Sequence, residues 1–159
     1  RLYTFEGSSA RVDRTFSSED AVWLARHLVL LVLPNGHNAS SILSGVRAPN
    51  QLQAAYDAVP VADEAIARRD LRALGCALAM GQRSKVEIPG AVTTDVDALV
   101  RAVEDVPGVY GSKVAGAGGG GHLVVACDPE SVEGVRRASR LPLRCVVPDM
   151  QGVRSSACV

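Results

Sequence analysis

The sequence predicts an α+β fold in which a ferredoxin-like split βαβ sheet carries additional helices. Two observations predict it. The hydrophobic period changes from helical to strand-like after residue 107, and the elements beyond that point run helix, strand, glycine turn, strand, helix, strand. Hydrophobic residues make up 47% of 159 residues, which is enough for a packed core. We therefore expect residues 1–159 to form a single domain.

The first part of the chain is predicted to contain two strands and a short helix. Leu2–Phe5 has the composition of a short strand. Ser17 followed three residues later by Asp20 is typical of a capping box, which indicates a helix start. The continuous apolar run Leu28–Leu33 ends at a Pro-Asn-Gly sequence, which favours a buried strand followed by a turn.

Three helices are predicted in the middle of the chain. Apolar residues recur at helical spacing over Leu52–Val59, and Pro60 is expected to kink or end that helix. Asp70 is a good N-cap for the second helix. Thr94 with Asp97 has the spacing of a cap for the third.

The last third of the chain is predicted to alternate strands with one helix. Val109–Ala115 and Leu123–Cys127 have strand-like composition and are joined by a glycine run. Asp128-Pro129 offers an N-cap and a proline at the first helical position, so a helix is expected next. Leu143–Val147 and Val153–Cys158 are predicted to be further strands.

Charge and composition argue against several classes of partner. The 17 basic and 17 acidic residues leave no net charge, and the basic residues form no stripe interleaved with aromatics, so we expect no nucleic-acid partner. The longest apolar run is too short to cross a bilayer, so no membrane segment is expected.

The cysteines and histidines show neither disulfide-like nor metal-like spacing. Cys76, Cys127 and Cys145 lie in apolar runs, where cysteine behaves as a small hydrophobe, and we expect reduced thiols in a cytoplasmic protein. The three histidines, His27, His37 and His122, have no ligand spacing with one another or with the cysteines, so no metal site is predicted. His122 adjoins the glycine run and is kept as a candidate binding residue.

The glycine run is the segment of the sequence that indicates chemistry. Seven of fourteen residues are glycine: Gly108, Gly111, Gly116, Gly118, Gly119, Gly120 and Gly121. Glycine allows positive φ and the close approach of a ligand, and successive backbone N–H groups can form a hollow suited to anionic oxygen. Lys113 adds a positive charge if its side chain points to that hollow.

Other interpretations of the run remain open or are excluded by its flanks. A flexible linker is disfavoured because strand-like residues lie on both sides. A tight hairpin whose glycines only relieve strain stays open. A Walker loop and a dinucleotide-binding turn are both excluded because a strand, and not a helix, follows the glycines.

The segment Gly108–His122, GVYGSKVAGAGGGGH, resembles the third conserved motif of the GHMP kinases, the family of galactokinase, mevalonate kinase and homoserine kinase. The matching positions are Gly111, Ser112, Lys113, Val114, Gly116, Ala117, Gly118, Gly120 and Gly121. Ala115 departs from the pattern, because many members have Ser or Thr there. The resemblance extends over about residues 20 to 150 and implies the C-terminal half of such a kinase.

The resemblance implies an ATP-dependent kinase of a sugar or similar small hydroxylated molecule, to which this chain contributes the acceptor and phosphate pocket. The residues it implies for that pocket are Ser112, Lys113, Gly116, Ala117, Gly118, Gly119, Gly120, Gly121 and His122. ATP and Mg²⁺ are expected to be bound mainly by the N-terminal half of the kinase. The phosphate-loop domain of that half is expected to be absent, since Gly7-Ser8-Ser9 is the nearest run and no apolar helix follows it.

Three further hypotheses are consistent with the same residues. The chain could act with an N-terminal-half subunit, or it could be a stand-alone ligand-binding or regulatory domain derived from a kinase and lacking catalysis. It could also have a structural role as a homodimer, with the helix from Thr94 or an open sheet edge making the contact.

Overall fold

A computed structural model describes residues 2–34 and 39–149, which form six strands and six α-helices. In chain order these are β1 (Leu2–Glu6), β2 (Ser9–Arg14), α1 (Ser18–His27), β3 (Leu28–Val32), α2 (Ala39–Leu43), α3 (Gln53–Arg68), α4 (Leu71–Val86), α5 (Thr94–Glu104), β4 (Val109–Val114), β5 (His122–Cys127), α6 (Val132–Ser139) and β6 (Leu143–Cys145). None of these helices is long and apolar enough to cross a membrane.

The main sheet has the predicted ferredoxin-like topology. Its four strands lie in the order β4-β5-β3-β6, and all three neighbouring pairs are antiparallel. Numbered along the chain, this is the order two, three, one, four of a βαββαβ unit. The α+β class and the split βαβ sheet are therefore confirmed, with α2, α3 and α4 inserted before the first crossover helix α5.

One face of the sheet forms the core with α5 and α6. Alternate residues of each strand point to this face, which is the period-two pattern of a strand. The buried cluster joins strand residues such as Leu31 and Leu123 to Val103 of α5 and Val135 of α6, and these four side chains are fully buried. This packing fixes α5 beside the strands that flank the glycine run.

The other face of the sheet is approached by α4 at a contact between two glycines. An added Cβ on Gly75 of α4 would overlap the backbone of Tyr110, and one on Gly111 of β4 would overlap the backbone of Gly75. The absence of both side chains lets the helix and strand backbones touch. As a result, the second half of α4 lies against the end of β4, where the glycine run begins.

The N-terminal segment contains one confirmed helix start and one strand that was not predicted. The Ser17 hydroxyl accepts from the Asp20 amide at 3.1 Å, and the Asp20 carboxylate accepts from the Ser17 amide at 2.9 Å, so the capping box is present. β1 is confirmed and pairs with the unpredicted β2. β2 is exposed along almost its whole length, so it contains no buried apolar run of the kind that marks β3.

The helix that was predicted to kink or end at Pro60 does not end there. α3 continues past Pro60 to Arg68, because the residues beyond the proline are held by tertiary packing. Ala65 and Ile66 are buried in a cluster with Leu74 of α4. Pro60 itself is exposed, so its ring is accommodated on the solvent side of the helix.

Two cap assignments are also corrected. The N-cap of α5 is Thr93, whose hydroxyl accepts from the Val96 amide, and not Thr94. Asp128 is the N-cap residue of a 3₁₀ turn over Pro129–Ser131 that precedes α6, and not of α6 itself. Its side chain makes no capping hydrogen bond, and its carboxylate accepts from the Tyr110 hydroxyl at 2.9 Å.

The described residues include one of the two strands that were predicted near the C-terminus. β6 is shorter than the predicted strand Leu143–Val147, since it ends at Cys145. The predicted strand Val153–Cys158 lies outside the described residues, as do His37 and the Asn-Gly part of the turn after β3.

Candidate functional site

Residues 115–121 form a tight loop between β4 and β5. The Ala115 amide donates to the His122 carbonyl at 2.8 Å, which closes the loop at its base. Gly116, Gly118 and Gly119 have φ of 66°, 107° and 75°. A side chain is strained in this left-handed region, so the loop conformation requires glycine.

The loop is held against its neighbours by two further backbone hydrogen bonds. The Gly119 amide donates to the Ala91 carbonyl at 2.5 Å, and the Gly121 carbonyl accepts from the Leu33 amide at 2.9 Å. An added Cβ at Gly118 would lie 2.5 Å from the same Ala91 carbonyl oxygen, so the two backbones are in contact. The glycine run is therefore a folded-back turn fixed between β3 and the segment after α4, and not a linker.

A cleft of about 210 Å³ lies beside the loop. The loop contributes Gly119 and Gly120 to its wall, and the ends of β3, α5 and α6 contribute the rest. The remaining lining residues are Leu33, Pro34, Asp95, Val96, Leu99, Ser139 and Leu141. The wall is mostly apolar, with the side chains of Asp95 and Ser139 as its polar groups. Such a cleft can take a small molecule with one apolar and one hydroxyl-bearing side.

The rest of the predicted loop residues lie around this cleft and do not line it. Gly116 and Gly121 face open space, because an added Cβ would meet nothing within 4 Å. Ala117 packs against a small apolar cluster formed by Ile42, Ile88 and Ala91.

The predicted strand residues point to three different places. Ser112 is fully buried, and its amide and hydroxyl both donate to Oε1 of Glu104 at 3.0 and 2.9 Å. Lys113 extends across Gly81 of α4, with its Cε 2.9 Å from where a Cβ of Gly81 would be. His122 is half-buried and lies opposite Val32 of β3. The geometry thus brings Gly119 and Gly120 together on one wall and leaves Ser112, Lys113 and His122 outside it.

Sequence reasoning missed Lys85, which contacts the loop from α4. Its ammonium donates to the Val114 carbonyl at 2.6 Å and to the Gly116 carbonyl. Lys85 is only 6% exposed, and burial, followed by the charge of Lys113, lowers its pKa to about 8. Gln82, one turn earlier, accepts from the Val114 amide at 2.9 Å. The available signal was spacing, since Gln82 and Lys85 continue the buried side of α4 that begins at Leu74.

Within residues 2–34 and 39–149, no group of three or more Asp, Glu, His or Cys side chains comes together to hold a metal ion. The cleft has one carboxylate among its lining residues, that of Asp95.

A family model for the C-terminal domain of GHMP kinases matches residues 62–141, which is half of the chain and includes the whole glycine loop. The chain belongs to the GHMP kinase family. The family assignment predicted from the glycine motif is therefore confirmed, and the matched residues run from α3 to just beyond α6.

Solved structures of GHMP kinases share the fold. The mevalonate kinase of Methanococcus jannaschii is 18% identical with a TM-score of 0.65, over 89% of this chain and 44% of that one. The Streptococcus pneumoniae phosphomevalonate kinase, solved with phosphomevalonate and AMPPNP, is 15% identical with a TM-score of 0.63, over 75% and 38%. The Lactococcus lactis galactokinase, solved with galactose, is 15% identical with a TM-score of 0.55, over 76% and 44%.

These similarities define the fold and the extent of the chain. At identities of 15 to 18%, they show a shared fold and not a shared substrate. This GHMP kinase domain spans about two-fifths of the length of the kinases it matches. No curated protein sequence matches the chain.

Proposed function

We propose that this domain is the C-terminal part of an ATP-dependent small-molecule kinase and that its glycine loop forms one wall of the pocket for the phosphoryl acceptor. Residues 1–159 then act as one domain, and the acceptor is a sugar or a similar hydroxylated molecule. The observation that carries the proposal is the folded-back loop with Gly119 and Gly120 on the wall of the cleft.

The chemistry of phosphoryl transfer fits what this cleft offers. Transfer between oxygens depends mainly on positioning the reactants and stabilising charge, and little covalent chemistry is required of the protein. Glycine lets backbone come close to a ligand, and the apolar side chains of Leu99 and Leu141 exclude water from the opposite side. The Asp95 carboxylate is suited to accept hydrogen bonds from hydroxyl groups of the acceptor, whereas the Ser139 hydroxyl already donates to the Arg136 carbonyl and accepts from the Leu141 amide.

In this proposal, ATP and Mg²⁺ are bound mainly by the N-terminal half of the kinase. A solved relative of the same fold contains AMPPNP, an ATP analogue, which supports a nucleotide as the phosphoryl donor. When bound, ATP supplies the phosphoryl group. The role of this chain is to hold the acceptor side of the pocket, either in one polypeptide with an N-terminal half or together with a subunit that provides it.

A cytoplasmic location, as expected from the spacing of the cysteines in the sequence, is part of the same proposal. Burial, followed by the charge of Asp128, raises the pKa of the Cys127 thiol to about 11, so this thiol stays protonated and unreactive.

The test is to fill the cleft and measure turnover. We expect the natural protein, mixed with its N-terminal-half subunit if that is a separate chain, to release ADP in the presence of ATP, Mg²⁺ and one of galactose, mevalonate or phosphomevalonate. Leu99→Trp places a large ring in a cleft of about 210 Å³ and should raise the KM for the acceptor at least about tenfold.

The matched control is Val59→Trp, which adds the same ring at a half-exposed position of α3 that does not line the cleft. Turnover by Leu99→Trp equal to that of Val59→Trp would show that the cleft is not the acceptor pocket. Binding of an acceptor without ADP release in every combination would instead support a stand-alone binding domain.

A further inference from the structure

Lys85 is a buried cation without an acidic partner in the described part of the chain. It is 6% exposed, and none of the ion pairs formed among residues 2–34 and 39–149 includes it. Burying a charge is costly unless it is paired or fully hydrogen-bonded. The nearby charge of Lys113 has the same sign and adds to that cost. A methionine would fill the same space without this penalty, so the ammonium needs a specific explanation.

The contacts of Lys85 lie at the junction between β4 and the glycine loop. Its ammonium donates to the carbonyls of Val114 and Gly116, which flank Ala115. Val114 is the last residue of β4, and Gly116 is the first residue of the loop with positive φ. A single side chain therefore joins the end of the strand to the point at which the backbone turns. Hydrogen bonds from an ammonium group are about twice as strong as neutral ones.

A comparison with Gln82 distinguishes the contact of Lys85 with the loop from simple capping of the sheet edge. β4 is an edge strand, and edge strands need partners for their outward backbone groups. Gln82 provides such a partner, because its carbonyl oxygen accepts from the Val114 amide. Lys85 reaches one step further, to Gly116, which belongs to the loop and not to the strand.

We propose that Lys85 is a positioning residue that sets the direction in which the glycine loop leaves β4, and thereby holds Gly119 and Gly120 on the wall of the cleft. The base of the loop is closed by the hydrogen bond from the Ala115 amide to the His122 carbonyl, and its far side is held through Gly119 and Gly121. The Lys85 contact adds a tether at Gly116, where the backbone first turns. The tether itself does not depend on the proposed function; only the assignment of a ligand to the wall of the cleft rests on that proposal.

Amide hydrogen exchange, read by NMR, tests the tether without a ligand. The reporters are the Gly119 amide, bonded to Ala91, and the Leu33 amide, bonded to Gly121. In Lys85→Met we expect both reporters to exchange at least about tenfold faster, with no change at core amides of β5. Gln82→Met, the matched control, removes a hydrogen bond to the same strand residue and should leave both reporters within about threefold of the wild type.

A purely structural role predicts a different result. If Lys85 and Gln82 only cap the edge of β4, the two variants will accelerate exchange of the reporters equally, which overturns the proposal. Unchanged reporters in Lys85→Met overturn it as well. If Lys85→Met fails to fold, the wild-type protein is measured instead. The proposal requires an NMR scalar coupling between Lys85 Nζ and the Gly116 carbonyl carbon across their hydrogen bond. Absence of that coupling in the folded wild type refutes the proposal.

A ligand arm keeps this inference separate from the proposed function. Galactose, mevalonate, phosphomevalonate and AMPPNP are titrated into the wild type and Lys85→Met. Faster loop exchange in Lys85→Met with at least tenfold weaker binding of one of these ligands supports both ideas. Faster exchange with no binding to either protein supports the tether and counts against the proposed function. Unaltered binding with a loosened loop overturns the positioning role.

Discussion

The contact between the glycine loop and Ala91 gives a sharp prediction for two alanine substitutions. Gly118 and Gly116 both have positive φ, at 107° and 66°, so alanine is conformationally strained at either position. They differ in the space around them. A Cβ at Gly118 would lie 2.5 Å from the Ala91 carbonyl oxygen and 3.0 Å from its Cα, whereas a Cβ at Gly116 would meet nothing within 4 Å.

The magnitudes follow from these two effects. A left-handed conformation costs an alanine about 1–2 kcal/mol at Gly116, and the cost is at least as large at Gly118, whose φ of 107° lies beyond the usual left-handed range. Forcing a methyl group into a packed backbone adds about 1–3 kcal/mol, and this applies only at Gly118. The smaller conformational freedom of unfolded alanine is the same for both and cancels in the comparison. Gly118→Ala should therefore lower the free energy of unfolding by about 1–3 kcal/mol more than Gly116→Ala does.

Urea denaturation of the two variants and the wild type, followed by circular dichroism, measures this difference. Exchange of the Gly119 amide should rise in Gly118→Ala, because the Ala91 carbonyl that accepts its hydrogen bond must move. Equal stability of the two variants would refute the reasoning, since it would mean that the loop does not lie against Ala91.

Three further predictions concern other parts of the domain. Burial lowers the pKa of Lys85 from 10.5 to about 8, so between these pH values the unfolded chain binds more protons than the folded protein does. This residue therefore makes the free energy of unfolding rise as the pH increases from 8 to 10.5. Urea denaturation should show that this rise is about 1–3 kcal/mol larger in the wild type than in Lys85→Met. Gly75→Ala places a methyl group against the Tyr110 backbone and should cost about 2 kcal/mol or more, measured in the same way. A thiol reagent at about pH 8 should label the exposed Cys76 rapidly. Cys127 is buried, which raises its pKa to about 11, so it should stay unlabelled until the protein unfolds. Equal labelling rates of the two thiols would contradict the burial of Cys127.

Features set by neighbouring residues were predictable from the sequence. The capping box of Ser17 and Asp20 involves residues three apart, and it is present. The apolar run of β3 and the two strands around the glycine loop were also predicted, because a change from helical to strand period is visible locally. The family motif lies within one continuous segment, and for that reason the family could be identified without a structure.

Features that depend on distant contacts were not predictable. β2 is exposed along almost its whole length and has no apolar run, so its assignment rests on its pairing with β1. Pro60 stays inside α3 because residues after it are packed against α4. Lys85 contacts Val114 and Gly116, which lie 29 and 31 positions further along the chain. Nothing in the local sequence of Lys85 shows that its ammonium reaches Gly116.

The most direct test of the account is to map ligand binding onto the amides of the glycine loop. In a ¹⁵N NMR titration with galactose, mevalonate, phosphomevalonate and AMPPNP, one of these ligands should shift the amide signals of Gly119 and Gly120 together with that of Leu99 across the cleft. The Leu99→Trp variant should lose those shifts. Saturable binding that shifts other residues and leaves Gly119 and Gly120 unaffected would contradict the claim that this loop forms the wall of the ligand pocket.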